Sequence, residues 1–261
     1  MKTLFVCTAS FGILFCNAQQ IVVDRSNSLQ VPENKATSKT EGTKASLKAL
    51  IIPVGLITYG FIALGKNELK QLDKSTKATI TTNHFGYKTT VDNYLQFAPA
   101  ISVYALNVCG VKGKNNFRDR TMLYALSTII STGFVKPLKY VTKSARPDGS
   151  CNNSFPSGHT TTAFASAEFL RQEYKDVSPW YCIAGYAVAA TAGSLRVYNN
   201  KHWVSDVVAG AGFGILSTKI AYWIYPSIKK KLFKNKPMNA LMMPYHQNGT
   251  TGVAFVYNFR K

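Results

Sequence analysis

Acidic residues are scarce in this chain. Its 261 residues contain 12 Asp+Glu against 31 Lys+Arg, so the formal net charge is +19 at neutral pH. Such a surplus of positive charge indicates an anionic partner: nucleic acid, anionic lipid or a phosphorylated substrate. The basic residues do not form a helical stripe interleaved with aromatic residues, and the sequence holds no nucleic-acid-binding motif. We therefore predict no nucleic acid partner.

Cysteine is also rare, and its spacing follows no metal or disulfide pattern. Cys7 and Cys16 lie in the N-terminal apolar segment, which leaves Cys109, Cys151 and Cys182. These three lack the spacing of metal ligands, so the sequence predicts no metal site. A disulfide between Cys151 and Cys182 stays open as an alternative if the chain is exported.

Long apolar runs are few. The mean hydropathy of −0.04 is low for a chain built mostly of membrane spans. Two uncharged runs precede the polar motifs, at residues 49–65 and 93–111. The first is a marginal span because it is short and holds Pro53 and several glycines. The composition fits a few apolar segments that are joined by polar, basic loops.

The N-terminus has the pattern of a secretory signal peptide. Lys2 gives the positive start, residues 4–15 form an apolar run, and Cys16 and Ala18 are small residues at the −3 and −1 positions. This pattern predicts cleavage before Gln19, and an uncleaved anchor is the alternative. In both cases the protein leaves the cytoplasm.

Sequence patterns divide the chain into five segments. They are a signal peptide (1–18), a polar linker (19–48), an apolar helix with a connecting segment (49–92), a helical core (93–228) and a basic segment with a C-terminal hairpin (229–261). The hairpin is predicted because Asn248-Gly249 lies between two apolar runs.

Most of the chain between the signal peptide and the hairpin is predicted to be helical. The fold class expected is all-α: a multi-helix bundle with several transmembrane helices, plus the short C-terminal β-hairpin. Gly210, Gly212 and Gly214 give the last helix a face of small residues that suits close packing. The predicted helices cover residues 68–80, 121–135, 156–174, 180–193 and 205–225, with Pro226 ending the last one.

The first polar motif contains two cations. Lys139 and Arg146 are about two helical turns apart, so on one helix they would share a face, and Pro147 would then end that helix. Arginine suits bidentate contact with phosphate, whereas lysine acts as a point charge. A Lys/Arg pair alone is more often a solvated face.

The second motif, residues 156–159, reads Pro-Ser-Gly-His and opens a helix. Ser157 and Gly158 would leave free backbone N–H groups at the positive end of that helix, which is a ready anion site. His159 would then lie beside the bound phosphate. The alternative is a simple helix start without a ligand.

The third motif contains Arg196, His202 and Asp206. On a helix, a spacing of four would place the Asp206 carboxylate beside the His202 imidazole. A carboxylate on one ring nitrogen fixes the tautomer and leaves the other nitrogen free to attack. Arg196 lies upstream as another phosphate cation. A His/Asp pair alone is more often structural, but three such motifs in this order are improbable by coincidence.

Together the motifs resemble the signature of the type 2 phosphatidic acid phosphatase superfamily, which also includes bacterial acid phosphatases and vanadium haloperoxidases. The resemblance covers roughly residues 95–228. One position departs from the family pattern: Leu195, not Ser, precedes Arg196, and Ser194 is one position early. The matching residues are Lys139, Arg146-Pro147, Pro156-Ser157-Gly158-His159, Arg196, His202 and Asp206.

The resemblance implies an all-α bundle with a metal-free, cofactor-free phosphatase site at one end. His202 would be the nucleophile that forms a phosphohistidine, and Asp206 would orient it. His159 would protonate the leaving alcohol and later activate water. The residues implied to hold the phosphoryl group are Lys139, Arg146, Ser157, Gly158 and Arg196.

Four functions stay open at this point. The first is a membrane-bound phosphatase of lipid phosphates or pyrophosphates, and the second is a soluble periplasmic acid phosphatase that takes small esters. A vanadium haloperoxidase and a non-enzymatic phosphate- or lipid-binding protein are the others. The apolar helices beside the motifs favour the first.

The charges of the loops predict the side of the membrane on which the site lies. The basic loop 112–120 and the basic run 229–236 are expected inside, which places the site on the periplasmic side of the inner membrane. Counting spans conflicts with this: with a cleaved signal peptide, three crossings at 49–65, 93–111 and 121–135 would place the site in the cytoplasm. We expect that residues 49–65 do not span.

Overall fold

The computed structural model describes residues 5–10, 47–65, 67–83, 88–233, 240–247 and 250–257, and only the backbone for the first and the last two of these ranges. The chain divides into two units: residues 38–228, and residues 1–37 together with 229–261. The polar linker and the Asn248-Gly249 turn therefore lie wholly or almost wholly outside the described residues.

Helices form the larger unit, and its described residues contain no strand. A 3₁₀-helix at Leu47–Leu50 leads into the first α-helix. The α-helices among the described residues are α1 (Ile51–Ala63), α2 (Glu68–Asn83), α3 (Asp92–Leu95), α4 (Ala98–Val108), α5 (Phe117–Thr142), α6 (Gly158–Tyr174), α7 (Pro179–Tyr198) and α8 (Val204–Phe233). The all-α prediction is confirmed for this unit.

Strands occur only in the smaller unit among the described residues. β1 (Phe5–Ser10), β2 (Ala240–Gln247) and β3 (Thr250–Tyr257) form an antiparallel sheet in the order β1-β3-β2. The C-terminal hairpin expected from the sequence is not established by this backbone pairing and stays a prediction, as does the signal peptide.

The expectation of several transmembrane helices is not supported. One described helix, Val204–Lys231 within α8, is long and apolar enough to cross a membrane, and 61% of its apolar window is buried inside the structure. The segments Leu47–Ala63 and Glu68–Asn83 pass the same test only as a pair that is bent by 83°.

The apolar run 93–111 is broken into α3 and α4. Pro99 lies in the first turn of α4, where its missing N–H costs nothing. The resulting helix Ala98–Val108 has 11 residues, and at 1.5 Å per residue it spans roughly half of a bilayer core of about 30 Å. The predicted crossing at 93–111 is therefore wrong as a single helical span.

Helix α5 begins earlier and ends later than predicted. Asn116 is its N-cap, because the Asn116 side chain accepts the Asp119 N–H at 2.9 Å. Pro137 lies inside α5. The helix ends at Thr142, and Lys143 adopts the left-handed conformation (φ 44°) that commonly ends helices.

Helix α8 continues past Pro226, which was expected to end it. Two tyrosines hold the turns before the proline: Tyr222 Oη donates to Glu173 Oε1 at 2.5 Å, and Tyr225 Oη donates to Asp119 Oδ1 at 2.8 Å. These buried anchors to α6 and α5 explain how the helix tolerates the hydrogen bond that proline removes.

The core lies around α6, whose side chains are mostly buried from Thr160 to Tyr174. Phe169 and Tyr174 pack with Leu123 of α5 and Tyr222 of α8. The thiols of Cys151 and Cys182 are free, so the possible disulfide does not form.

Candidate active site

The ends of α5 and α7 and the beginnings of α6 and α8 meet at one end of the helical unit. Ser157 is the N-cap of α6, and its N–H donates to the carbonyl oxygen of Asp206 in the first turn of α8 at 3.0 Å. This bond joins the second motif to the third.

His202 and Asp206 form a buried pair. His202 Nδ1 lies 3.4 Å from Asp206 Oδ2, and the two side chains are 2% and 1% exposed. His202 precedes α8 rather than lying on it, which corrects the expected spacing on one helix. The pair forms nevertheless, because Asp206 Oδ2 also accepts the Trp203 N–H at 2.9 Å. This bond holds the loop that contains His202 against the start of α8.

A serine that sequence reasoning missed completes this pair. Ser154 Oγ donates to Asp206 Oδ2 and lies 3.4 Å from His202 Nδ1. Ser154 is buried in the loop before Pro156. In the sequence it is one of several polar residues in that loop, and no spacing distinguishes it from the others.

Burial lowers the pKa of His202, and its interaction with Asp206 only partly offsets this. The imidazole is therefore neutral at neutral pH. Since Nδ1 faces Asp206, the lone pair is on Nε2, which is the state that a nucleophile needs.

The first motif supplies one site residue from a helix and one from the loop that follows it. Lys139 lies in the last turn of α5, where its Nζ donates to the carbonyl oxygens of Asn153 (2.5 Å) and Ser154 (3.3 Å). Arg146 follows the end of α5, so the two residues do not share a helix face as expected. Burial lowers the pKa of Lys139 to about 8, and Asp206 opposes that shift.

Arg196 lies in the last turn of α7, where its guanidinium pairs with Asp92 of α3 at 2.5 Å. The Nε groups of Arg146 and Arg196 are buried and have no hydrogen-bond partner within the part of the chain that the structure describes. Buried donors without a partner are costly, so this end of the molecule suits an anion.

His159 is in the first turn of α6. Its Nε2 donates to Asn93 Oδ1 at 2.8 Å. Burial and the nearby charge of Arg196 lower the pKa of His159 to about 4, and Asp92 partly opposes that shift. The imidazole of the free protein is therefore neutral at neutral pH.

The start of α6 offers fewer N–H groups than expected. The Ser157 N–H is taken by Asp206, and the Ser157 hydroxyl accepts from Thr160 N and Thr160 Oγ1. Because the first N–H groups of a helix have no partner inside it, Gly158 and His159 remain as the residues whose N–H groups can face an anion. A side chain at Gly158 would meet no atom within 4 Å.

Ser194 is exposed on α7, whereas Leu195 is half-buried. Neither residue supplies a buried hydroxyl beside Arg196. The serine of the family pattern therefore has no buried equivalent at these two positions.

Helix α2 supports the third motif from outside it, a role that the sequence did not indicate. Asp73 is buried and accepts from Ser205 N (3.0 Å) and Ser205 Oγ (2.6 Å) at the start of α8. Lys70 lies 4.4 Å from the centre of the Trp203 ring, which is a cation–π distance.

The family model of the PAP2 superfamily matches residues 120–230, which include all three motifs. The matched region contains every candidate site residue named from the sequence, and the contacts with Asp73, Asp92 and Asn93 come from outside it.

Among curated relatives, a lipid A 1-phosphatase of Porphyromonas gingivalis is 39% identical over 154 residues, which are 59% of this chain and 35% of that protein. The bacitracin transport permease protein BcrC of Bacillus licheniformis is 31% identical over 77 residues, which are 30% of this chain and 36% of that protein. The chain thus spans about a third of the length of these relatives.

A crystal structure of a transmembrane PAP2-type phosphatidylglycerolphosphate phosphatase from Bacillus subtilis is also similar. It is 23% identical with a TM-score of 0.49, and the match covers 71% of this chain and 99% of that one.

Proposed function

We propose that this chain is a metal-independent phosphatase that hydrolyses phosphomonoesters or pyrophosphates of lipids through a phosphohistidine intermediate. The observation that carries the proposal is the buried His202–Asp206 pair, with Nδ1 and Oδ2 3.4 Å apart, inside a PAP2 superfamily domain.

In the first step, Nε2 of His202 attacks phosphorus, and the bond from phosphorus to the leaving oxygen breaks. His202 gains positive charge as the bond forms, and the Asp206 carboxylate on Nδ1 stabilises that charge. The basic side chains of Lys139, Arg146 and Arg196 and the N–H groups at the start of α6 hold the phosphoryl oxygens.

His159 supplies the proton for the leaving oxygen. Its pKa of about 4 in the free protein is too low for an acid at neutral pH. A bound phosphate dianion adds negative charge beside the imidazole and raises its pKa, so His159 becomes protonated as the substrate binds. In the second step His159 takes a proton from water, whose oxygen attacks phosphorus and breaks the N–P bond.

A lipid substrate is supported by two observations. The relative from Porphyromonas gingivalis is a lipid A 1-phosphatase, and the helical unit exposes large apolar side chains. Large exposed apolar side chains in this number favour contact with a membrane or a partner. The exposed side chains include Ile51, Ile52, Phe61, Ile62, Ile101, Ile129, Trp180 and Ile183.

The proposed location is the inner membrane, with the site facing the periplasm. The signal-peptide pattern at residues 1–18 and the basic loop 112–120 support it. The alternative of a soluble periplasmic acid phosphatase is opposed by these exposed apolar side chains.

Phosphate release from a panel of purified lipids tests the proposal. The panel holds lipid A, phosphatidic acid, phosphatidylglycerol phosphate and undecaprenyl pyrophosphate, with a small ester as comparison. We expect release from at least one lipid at a rate well above that from the small ester, and a loss of about 10⁴-fold or more in His202→Ala. Equal release by wild type and variant would contradict the proposal.

A further inference from the structure

A short segment that precedes the matched domain contacts two of the proposed site residues. Asp92 Oδ2 lies 2.5 Å from Arg196 Nη1, and Asn93 Oδ1 lies 2.8 Å from His159 Nε2. Both residues are outside residues 120–230. The family motifs therefore do not include these two contacts.

Hydrogen bonds and an ion pair hold the segment that contains Asp92 and Asn93 against the end of α7. The Asp92 side chain is 1% exposed, and its Oδ1 accepts from Asn199 Nδ2 at 3.2 Å. Asn199 Nδ2 also donates to Thr89 O at 2.9 Å, and Thr89 N donates to Asn199 Oδ1 at 2.9 Å. A buried carboxylate that is paired with arginine is costly to displace, so Asn93 is held in place beside Asp92.

The contact with Asn93 determines which nitrogen of His159 carries the proton. A side-chain amide oxygen can only accept, so His159 Nε2 must be the donor. In the neutral imidazole Nδ1 is then unprotonated, and in the imidazolium both nitrogens carry protons. The bond exists in both states, but it is stronger to the charged imidazolium.

We propose that Asn93 is a positioning residue for His159, which it holds with a proton on Nε2 so that Nδ1 exchanges the proton with the substrate. Asp92 anchors the segment that presents Asn93. In the first step the Nδ1–H bond breaks and the leaving oxygen takes that proton; in the second step Nδ1 takes a proton from the attacking water. The inference rests on the proposed phosphatase function.

Four charged or titratable groups act on His159 from the surrounding elements. They are Arg196 on α7, Asp92 on α3, His202 before α8 and Arg146 after α5. Burial and the two arginines favour the neutral imidazole, whereas Asp92 favours the charged form. Substitution of Asn93 leaves these groups in place, so a change in the titration of His159 reports the contact with Asn93.

The pH dependence of kcat tests this inference. His159→Gln first identifies the limb of the profile that belongs to His159. In Asn93→Ala the imidazolium loses an acceptor, so that limb shifts to lower pH by roughly 0.5 to 1 pH unit. In Asn93→Asp a carboxylate replaces the amide, so the limb shifts to higher pH. Asn93 is an exposed residue, and both variants are expected to fold.

Matched substitutions at Asn83, which is exposed at the end of α2, serve as controls and leave the limb unmoved. Opposite shifts in the two Asn93 variants support the inference, because a merely structural role would not reverse sign. An unchanged limb, or shifts in one direction only, would overturn it while wild-type activity still supports a phosphatase. A wild type that releases no phosphate from any substrate would instead overturn the proposed function.

Discussion

Asp206 has more partners than the sequence pattern assigns to it. Its carboxylate accepts from Ser154 Oγ and from Trp203 N, and its backbone carbonyl accepts from Ser157 N. The residue thus fixes His202 and the start of α6 together. A change at Asp206 therefore alters the nucleophile and the phosphate-binding N–H groups at the same time.

At the residue scale, the pKa of Lys139 predicts that kcat/KM falls on the basic side of its pH profile. Its pKa of about 8 means that the ammonium is charged below pH 8 and neutral above it. The phosphate dianion loses a cation as the pH rises through 8, so kcat/KM of the free enzyme falls there. Lys139→Arg keeps its charge because a guanidinium stays protonated throughout this pH range, and the limb near pH 8 should disappear.

The measurement is kcat/KM between pH 6 and pH 10 for wild type and Lys139→Arg. The shape of each profile is compared, so a lower absolute activity of the variant does not affect the result. An unchanged limb near pH 8 in Lys139→Arg would show that another group titrates there.

At the element scale, glycines let α8 approach α6 closely. A Cβ at Gly210 would lie 2.7 Å from the carbonyl oxygen of Ser157 and 3.2 Å from Thr160 Cβ. Both atoms are at the start of α6, next to His159. The small-residue face expected from the sequence is thus used where the second and third motifs meet.

Gly210→Ala should therefore displace the start of α6. We expect a loss of about 1 to 3 kcal/mol in the free energy of unfolding, as overpacking typically costs, and a fall in kcat/KM. Gly133→Ala on α5 is the matched control, because a Cβ there meets no atom within 4 Å. It should keep full activity and be as stable as wild type or more stable by up to about 1 kcal/mol. Denaturation in detergent together with the phosphate-release assay measures both effects, and equal behaviour of the two variants would contradict the close approach.

The helices and the residue types of the site were largely predictable from the sequence, but the contacts between segments were not. The periodic pattern placed α6 to within two residues, and the spacing of His202 and Asp206 identified their pairing. Asp73, Asp92, Asn93 and Ser154 were missed because their partners lie far away in the chain, and a single sequence holds no pattern for such contacts.

Helix ends were less predictable than helix positions. Arg146 was expected on the same helix as Lys139, but the left-handed Lys143 ends α5 first. Pro226 was expected to end α8, but the helix continues past it, stabilised by the hydrogen bonds of two buried tyrosines in the preceding turn. In both cases local conformation and tertiary contacts outweigh the residue preferences that a sequence reveals.

At the scale of the whole molecule, two exposed cysteines can report the side of the membrane. Cys151 lies in the loop before α6, at the active-site end. Cys109 follows α4, near Val111, whose carbonyl oxygen accepts from Tyr174 at the opposite end of α6. The 17 residues of α6 give it a length of about 25 Å, so the two thiols lie at opposite ends of the helical unit.

A membrane-impermeant maleimide applied to intact spheroplasts should label Cys151 and leave Cys109 unlabelled if the site faces the periplasm. Each thiol is tested in a variant that has it as the single cysteine, and lysed spheroplasts serve as the control in which both are labelled. Labelling of Cys109 alone in intact spheroplasts would place the site in the cytoplasm.

The most direct measurement of the central claim is the capture of phosphate on His202. The protein is mixed with ³²P-labelled lipid phosphate, quenched rapidly at alkaline pH, where phosphohistidine survives, and digested for peptide mapping. We predict label on the peptide that contains His202 in wild type and none in His202→Ala. Steady release of phosphate by both proteins, with no label on that peptide, would contradict the account.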